Sequence, residues 1–139
     1  MSDIVVLPTG HPDKRYENGK IYLIKCNKTG LGYVGSTIQP LRTRLQKHET
    51  DYRGFFEINN NKPRNYRGSA DIICNEDYDI ELLEEYSCNN KRELEQRESL
   101  WIFKMSATHT LTNKNMPYRI GFHDMPEIEK LKIIEKKSI

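Results

Sequence analysis

The fold is decided by the stretch from Gly19 to Gly35, which reads GKIYLIKCNKTGLGYVG. Residues 20–26 are rich in β-branched and aromatic side chains and favour a strand. Residues 27–30 favour a turn, because asparagine and glycine tolerate the positive φ that a tight connection needs. Residues 31–35 then favour a returning strand, so the stretch predicts a β-hairpin.

The length of the turn decides where the two tyrosines of this hairpin lie. With a four-residue turn, Tyr22 lies opposite Gly35. Ile24 then lies opposite Tyr33, and the two tyrosines share one face of the sheet as diagonal neighbours. A five-residue turn would put them on opposite faces, because a shift of one residue turns every side chain over. The predicted shared face therefore depends on the register.

The chain after the hairpin predicts a helix and a third strand. Pro40 suits the first turn of a helix, in which Arg44 and His48 are neighbours because they are four residues apart. Residues 50–70 are polar and predict an irregular segment. Residues 78–82 alternate between polar and apolar side chains, as a strand does.

Residues 90–105 form the clearest helix pattern. Asn90 followed by Glu93 is typical of a helix start, and Glu93 with Arg97 predicts an ion pair. Glu98 falls inside the apolar stripe of this helix, which consists of Leu94, Trp101, Ile102 and Met105. An inward carboxylate is costly unless a cation pairs with it, so we expect a metal ion or an arginine beside Glu98. A buried glutamate neutralised by a nearby lysine or arginine, without a catalytic role, is the alternative.

The composition excludes several classes of protein. No apolar run approaches the roughly 20 residues of a membrane helix, and the N-terminal apolar stretch is too short for a signal peptide. The three cysteines, Cys26, Cys74 and Cys88, contain no Cys-x-x-Cys pair, which argues against a disulfide framework and a zinc site. We therefore expect an intracellular, reducing compartment, either the cytoplasm or the nucleus, possibly of a virus-infected host.

The charge is unevenly distributed, although the net charge is only +2. Residues 14–70 contain 12 Lys and Arg against 4 Asp and Glu, a local charge of +8, while residues 71–99 contain 10 acids against 3 bases. A basic half of this size attracts polyanions such as nucleic acid. The candidate nucleic-acid-binding residues are Arg42, Arg44, Lys47, Arg53, Lys62, Arg64 and Arg67. The alternative is a loop made soluble by its charge.

Five motifs between about Gly19 and Asn113 together resemble the GIY-YIG nuclease superfamily. They are Gly19-Lys20-Ile21-Tyr22, Gly32-Tyr33-Val34-Gly35-Ser36-Thr37, Arg44 with His48, Arg97-Glu98-Ser99-Leu100-Trp101-Ile102, and Asn113. Each motif alone is a weak signal, whereas five in the order of the family are a strong one. The first motif departs from the family pattern because its glycine stands one place earlier, but the tyrosine is kept.

The resemblance implies both a fold and an activity. The implied fold is α/β (α+β), with a small three-stranded mixed or antiparallel sheet flanked by helices. The implied activity is divalent-metal-dependent cleavage of DNA phosphodiester bonds. The implied catalytic residues are Tyr22 and Tyr33 as the motif tyrosines, Arg44 as the phosphate-binding arginine, His48 as a proton-handling or orienting residue, Glu98 as the metal-binding carboxylate, and Asn113 as a supporting asparagine.

The chemistry of the residues refines these implications. One candidate carboxylate is too few for a two-metal site, so we expect one Mg²⁺ or Mn²⁺ ion at Glu98 and products with 5′-phosphate and 3′-hydroxyl ends. We assign water activation to Tyr22, because Gly35 opposite it leaves space for a water and a phosphate. Tyr33 is then the supporting hydroxyl, and the reverse assignment stays open.

The expected organisation is one nuclease domain with short flanking segments. Residues 1–18 form an N-terminal arm, residues 19–118 the nuclease domain, and residues 119–139 a helical tail packed on it, with Asp124 capping its helix. We expect no separate DNA-targeting domain after it, as in short free-standing members that resemble this chain and occur in phages and large DNA viruses. The expected partner is DNA, bound through backbone contacts. We expect no membrane and no small-molecule cofactor, and we expect the protein to act as a monomer or a transient dimer. The rival hypotheses are an inactive nucleic-acid-binding module and a protein-interaction domain.

Overall fold

A three-stranded antiparallel sheet forms the centre of the computed structural model, which describes residues 12–58, 68–113 and 116–132. Its strands are β1 (Lys20–Cys26), β2 (Gly32–Thr37) and β3 (Tyr78–Glu85), in the order β2-β1-β3. This confirms the expected three-stranded α+β fold. Because β1 is central, β2 is an edge strand, and groups from both sides of the sheet can meet beside it.

Helices cover the two faces of the sheet. They are α1 (Leu41–Ile58), α2 (Ala70–Ile73), α3 (Lys91–Ser106) and α4 (Met125–Lys130), with short 3-10 helices at Lys14–Asn18 and Phe122–Asp124. The α1 and α2 side packs around Tyr22, Ile24 and Ile72, whereas the α3 and α4 side packs around Ile21, Leu23 and Trp101. This split follows the alternation of side chains along β1. None of the helices in these described ranges is long and apolar enough to span a membrane.

The hairpin has the register that the four-residue turn predicts. Tyr22 pairs with Gly35, and Ile24 pairs with Tyr33, so both tyrosines lie on the α1 side of the sheet. On the other edge of β1, the pairing with β3 contains an irregularity between Ile21 and Tyr22. The sheet therefore presents the two motif tyrosines to the same helix.

Helix α1 is longer than predicted, because it continues to Ile58 through residues expected to be irregular. One tertiary contact and one contact along the helix stabilise α1 near the point where it was expected to end. Tyr78 of β3 donates a hydrogen bond to Glu49 at 2.5 Å, and Lys47 pairs with Asp51 at 3.2 Å along the helix. The expected loop around residues 59–65 lies outside the described residues.

Helix α3 begins as predicted, but its arginine has a different partner. Asn90 Oδ1 accepts a hydrogen bond from the Glu93 amide at 3.0 Å. The predicted pair of Glu93 with Arg97 is wrong, because Arg97 donates twice to Glu84 of β3, at 2.8 Å each, and once to Glu127 of α4, at 2.9 Å. These bonds fix α3 against the sheet and fasten the C-terminal helix to it.

Candidate active site

Tyr22 lies across Gly35, and this contact shapes the site. A Cβ atom on Gly35 would lie 2.3 Å from the Tyr22 hydroxyl oxygen, so the phenol occupies the space that a side chain on β2 would need. The expectation that this space holds a water and a phosphate is therefore wrong, because the phenol of Tyr22 itself fills it. Glycine is needed at position 35 for a different reason, namely to let the hydroxyl of Tyr22 reach the edge strand.

His48 of α1 lies between the two tyrosines. Its Nε2 is 2.7 Å from the Tyr22 hydroxyl, and its Nδ1 is 2.8 Å from Ser69 Oγ. The rings of Tyr22 and Tyr33 both meet it edge-on, with centroids at 5.9 and 5.5 Å. The imidazole is buried, with 1% of its surface exposed, so these contacts fix its orientation.

Arg44 lies one turn before His48 on α1 and approaches the same phenol. Its Nε donates a hydrogen bond to the Tyr22 hydroxyl oxygen at 3.2 Å. Burial raises the pKa of Tyr22 above its ordinary value, and the positive charge of Arg44 opposes that shift. The hydroxyl is therefore protonated near neutral pH and is able to donate to His48 Nε2.

Glu98 reaches the site from the opposite face of the sheet. It projects from α3, and its Oε1 accepts a short hydrogen bond of 2.5 Å from Ser36 Oγ on the edge strand. Burial raises the pKa of Glu98 to about 7, the Ser36 hydrogen bond opposes this, Glu95 adds to it, and Arg44 opposes it. The acid expected to point inward does so.

One pocket of about 400 Å³ brings most of the predicted catalytic residues together. Tyr22, Tyr33, Arg44 and Glu98 line it, and His48 lies directly behind Tyr22. A volume of this size is within the usual range for a ligand-binding cleft. Residues from both faces of the sheet thus converge beside β2, as an open edge strand permits.

Asn113 supports this arrangement without lining the pocket. Its Oδ1 accepts a hydrogen bond from the Val34 amide at 3.0 Å, and its Nδ2 donates to the Val34 carbonyl at 2.8 Å. The amide side chain thereby continues the backbone ladder of the edge strand, next to a parallel bridge between Gly32 and Leu111. Asn113 therefore holds the part of β2 that carries Tyr33 and Gly35.

The predicted nucleic-acid-binding residues are only partly brought to the pocket. Arg42, Lys47 and Arg53 are exposed on α1, and Lys62, Arg64 and Arg67 lie outside the described residues. At about 100° per residue, Arg42 and Arg53 are about half a turn around the helix from Arg44, whereas Lys47 is about 60° away. Of these candidate nucleic-acid-binding residues, Lys47 thus lies on the Arg44 side of α1, and Arg42 and Arg53 lie on its opposite side.

Several residues of the site were not identified from the sequence. Lys91 and Glu95 lie on the Glu98 side of α3 and line the pocket together with Ser36 and Tyr16. The helical spacing of Lys91, Glu95 and Glu98 is a signal that could have found the first two. Tyr16 and Ser69 carry no such signal, because only tertiary contacts bring them to the site.

The donor groups present fit a hard divalent cation held mainly by water. Glu98 is a half-buried carboxylate with a hydroxyl, rather than a lysine or arginine, as its hydrogen-bond partner among the described residues. Those residues contain no group of three or more potential metal ligands. Mg²⁺ and Mn²⁺ are bound by one or two carboxylates and several waters in many phosphate-processing sites, which matches a polar pocket lined by Glu98 and Glu95.

The raised pKa of Glu98 predicts that this acid destabilises the metal-free fold at neutral and higher pH. The folded pKa of about 7 lies above the reference value of 4.5. Between about pH 4.5 and 7, the Glu98 carboxyl therefore ionises in the unfolded chain before it does so in the folded protein. Its contribution to the free energy of unfolding falls over this range and is constant at higher pH. We expect Glu98→Gln to remove this loss. The unfolding free energy of the variant minus that of the native protein should therefore be about 2–3 kcal/mol larger at pH 8 than at pH 5. Urea unfolding of both proteins in EDTA measures the difference. An equal effect of the substitution at both pH values would contradict the burial of this carboxylate.

One of the comparisons with known proteins identifies a family for the chain. A family model described as the GIY-YIG catalytic domain matches residues 18–115, more than two thirds of the chain. No curated protein and no solved structure matches the chain. The family match implies a nuclease and a DNA substrate, and it covers each of the six predicted catalytic residues. The chain belongs to the GIY-YIG catalytic domain family.

Proposed function

We propose that this protein is a divalent-metal-dependent endonuclease that hydrolyses DNA phosphodiester bonds and leaves 5′-phosphate and 3′-hydroxyl ends. The observation that carries the proposal is the convergence of the half-buried acid Glu98 with Tyr22 and Arg44 at one pocket, from opposite faces of the sheet. A nuclease needs a water activator, a phosphate-binding cation and a carboxylate that holds a metal ion. The pocket contains a candidate for each.

Glu98 is the residue that would hold the metal. When bound, a divalent ion supplies positive charge for the phosphoryl oxygens and the leaving oxygen. Glu98 must be ionised for this role, although burial favours its protonated form in the metal-free protein. Ser36 supports the carboxylate by donating to one oxygen, which limits its rotation and directs it towards the pocket.

Arg44 is suited to bind the phosphate. One of its N–H groups donates to Tyr22, and the planar guanidinium has further donors that match the spacing of phosphate oxygens. Its attachment to Tyr22 places the bound phosphate beside the water-activating phenol. Arg44 thus links substrate binding to water activation.

Tyr22 and His48 would activate the attacking water together. As the water oxygen forms a bond to phosphorus, its proton passes to the Tyr22 oxygen, and the Tyr22 proton passes to His48 Nε2 at 2.7 Å. The P–O3′ bond breaks, and the 3′ oxygen takes a proton from solvent. Because Tyr22 has 0% of its surface exposed, the water must reach it by displacing neighbouring side chains of the pocket. Tyr33, which is only half-buried, is the supporting hydroxyl.

Metal dependence is tested by a plasmid-nicking assay. With Mg²⁺ or Mn²⁺ we expect relaxed circles to appear before linear DNA, because one site cuts one strand. In EDTA we expect no product.

Glu98→Ala should lower the cleavage rate by at least about 10³-fold while DNA retention stays close to native, since the metal-holding carboxylate contributes to the transition state. Glu129→Ala, which removes an exposed acid of α4, is the matched control and should cut normally. Native cleavage by Glu98→Ala, or in EDTA, would refute the proposal.

The two tyrosines are separated by removing one hydroxyl at a time. Tyr22→Phe should lower the single-turnover rate by about 10²–10⁴-fold, the usual range for a positioned proton acceptor. Tyr33→Phe should lower it less, because Tyr33 is assigned a supporting role. A binding assay with the same DNA in Ca²⁺ checks that both variants retain the substrate. A larger loss in Tyr33→Phe than in Tyr22→Phe would reverse the two roles.

A further inference from the structure

Lys91 is a basic residue of the pocket that has no role in the proposed chemical step. It is the first residue of α3, and it lines the same pocket as Tyr22, Arg44 and Glu98. Its side chain is 74% exposed, and its Nζ lies 3.9 Å from Glu95 Oε2. That distance is longer than a hydrogen bond, so the ammonium group has N–H donors to offer to a ligand in the pocket.

The stability of α3 does not explain a lysine at this position. The N-terminus of a helix carries partial positive charge, so a cation in the first turn is unfavourable there. A lysine four residues before a glutamate is also the weaker order for an ion pair along a helix. Lys91 is therefore better suited to an anion from outside the chain than to its own helix.

The two sides of the sheet correspond to the two sides of the phosphate. Tyr22 and Arg44 are on the α1 side, whereas Glu98 and Lys91 project from α3 on the other side. In phosphoryl transfer, the attacking and leaving oxygens lie roughly in line, on opposite sides of the phosphorus. Because Tyr22 activates the water in the proposed function, the leaving 3′ oxygen faces α3. The strand that ends in this oxygen, on the 5′ side of the cut, therefore passes along α3.

The spacing along α3 corresponds to a few nucleotides. Lys91 and Glu98 are seven residues apart, which places them about 20° apart around the helix and about 10.5 Å apart along its axis. One DNA strand advances about 3.4 Å per nucleotide along the duplex axis, so a strand parallel to α3 covers this distance in about three nucleotides. Glu95 lies between them and also lines the pocket. Its negative charge repels a phosphate, and Lys91 offsets that charge.

We propose that Lys91 binds a backbone phosphate of the cleaved DNA strand, within about three nucleotides on the 5′ side of the cut. This inference rests on the proposed function, which sets the direction of the strand. Arg44 binds the phosphate at the cut, whereas Lys91 holds the segment that becomes the 3′-hydroxyl product. A phosphate contact positions the strand and carries no information about base sequence.

The salt dependence of DNA binding tests this contact without any cleavage. For duplex DNA, the logarithm of the binding constant falls against the logarithm of the salt concentration with a slope of about −0.9 for each phosphate neutralised. In EDTA, Lys91→Met should make this slope less steep by about 0.9 and weaken binding about 5–10-fold at 0.1 M salt. Lys91→Arg, which keeps the charge, should retain the native slope.

The matched control for this measurement is Arg92→Met. It removes the same charge from the next residue of α3, which is exposed and is not one of the described residues that line the pocket. This variant should bind with the native slope. A native slope in Lys91→Met, or an equal change in Arg92→Met, would overturn the proposal.

Neutral phosphates locate the contact on the strand. Once the cut in a labelled duplex is mapped with the native enzyme, a methylphosphonate replaces one phosphate at a time on each side of it. One substitution within three nucleotides on the 5′ side should raise KM about 5–10-fold with kcat unchanged, because the contact is made equally before and during the reaction. In Lys91→Met the same substitution should have less than about a twofold effect, since its partner is already absent.

The failure of this inference is distinguishable from the failure of the proposed function. If Lys91→Met stays as sensitive as the native enzyme to every 5′ substitution, or loses its sensitivity only on the 3′ side, the assigned contact is wrong while the nuclease assignment stands. If the native protein cuts no DNA, the proposed function fails, and the salt slopes still decide whether Lys91 binds a phosphate.

Discussion

The pairing of Tyr22 with Gly35 is the constraint on which the rest of the site depends. The phenol crosses the edge strand where that strand has no side chain, and a Cβ there would collide with the hydroxyl at 2.3 Å. The hydroxyl can therefore contact Arg44 and His48 of α1 while it lies in the wall of a pocket at the sheet edge. Because β2 is at the edge of the sheet in the described part of the chain, Glu98 from the other face reaches the same pocket.

The site combines groups whose burial is unfavourable in the free protein. The acid Glu98 has its pKa raised by burial, and the phenol of Tyr22 has its pKa raised for the same reason. A cation beside the acid and a phosphate beside Arg44 would each offset part of this unfavourable burial. The arrangement is thus less stable alone than with its ligands, as is common where pKa values are shifted for catalysis. The backbone bonds of Asn113 and the network around Arg97 hold the surrounding elements in place.

Local patterns predicted the parts of the structure that depend on neighbouring residues. The turn chemistry of 27–30 predicted the register of Tyr22, and the apolar stripe of α3 predicted the inward direction of Glu98. Contacts between distant segments were not predictable in this way. The hydrogen bond from Ser36 to Glu98 and the one between Ser69 and His48 each join residues far apart in the chain. The extension of α1 to Ile58 was likewise not predicted, because the polar sequence of residues 50–58 alone does not favour a helix.

The central claim is that residues from both faces of the sheet form one metal-dependent pocket, and Mn²⁺ binding followed by NMR tests it most directly. Bound Mn²⁺ broadens the signals of nearby nuclei, so the account predicts saturable broadening at Ser36, Tyr33 and Glu98. Signals of Asn27 and Asp79, which lie together beside the hairpin turn, should be unaffected. Glu98→Gln should abolish the broadening. Broadening centred on Asp79, or unchanged in Glu98→Gln, would contradict a metal site at the edge of β2.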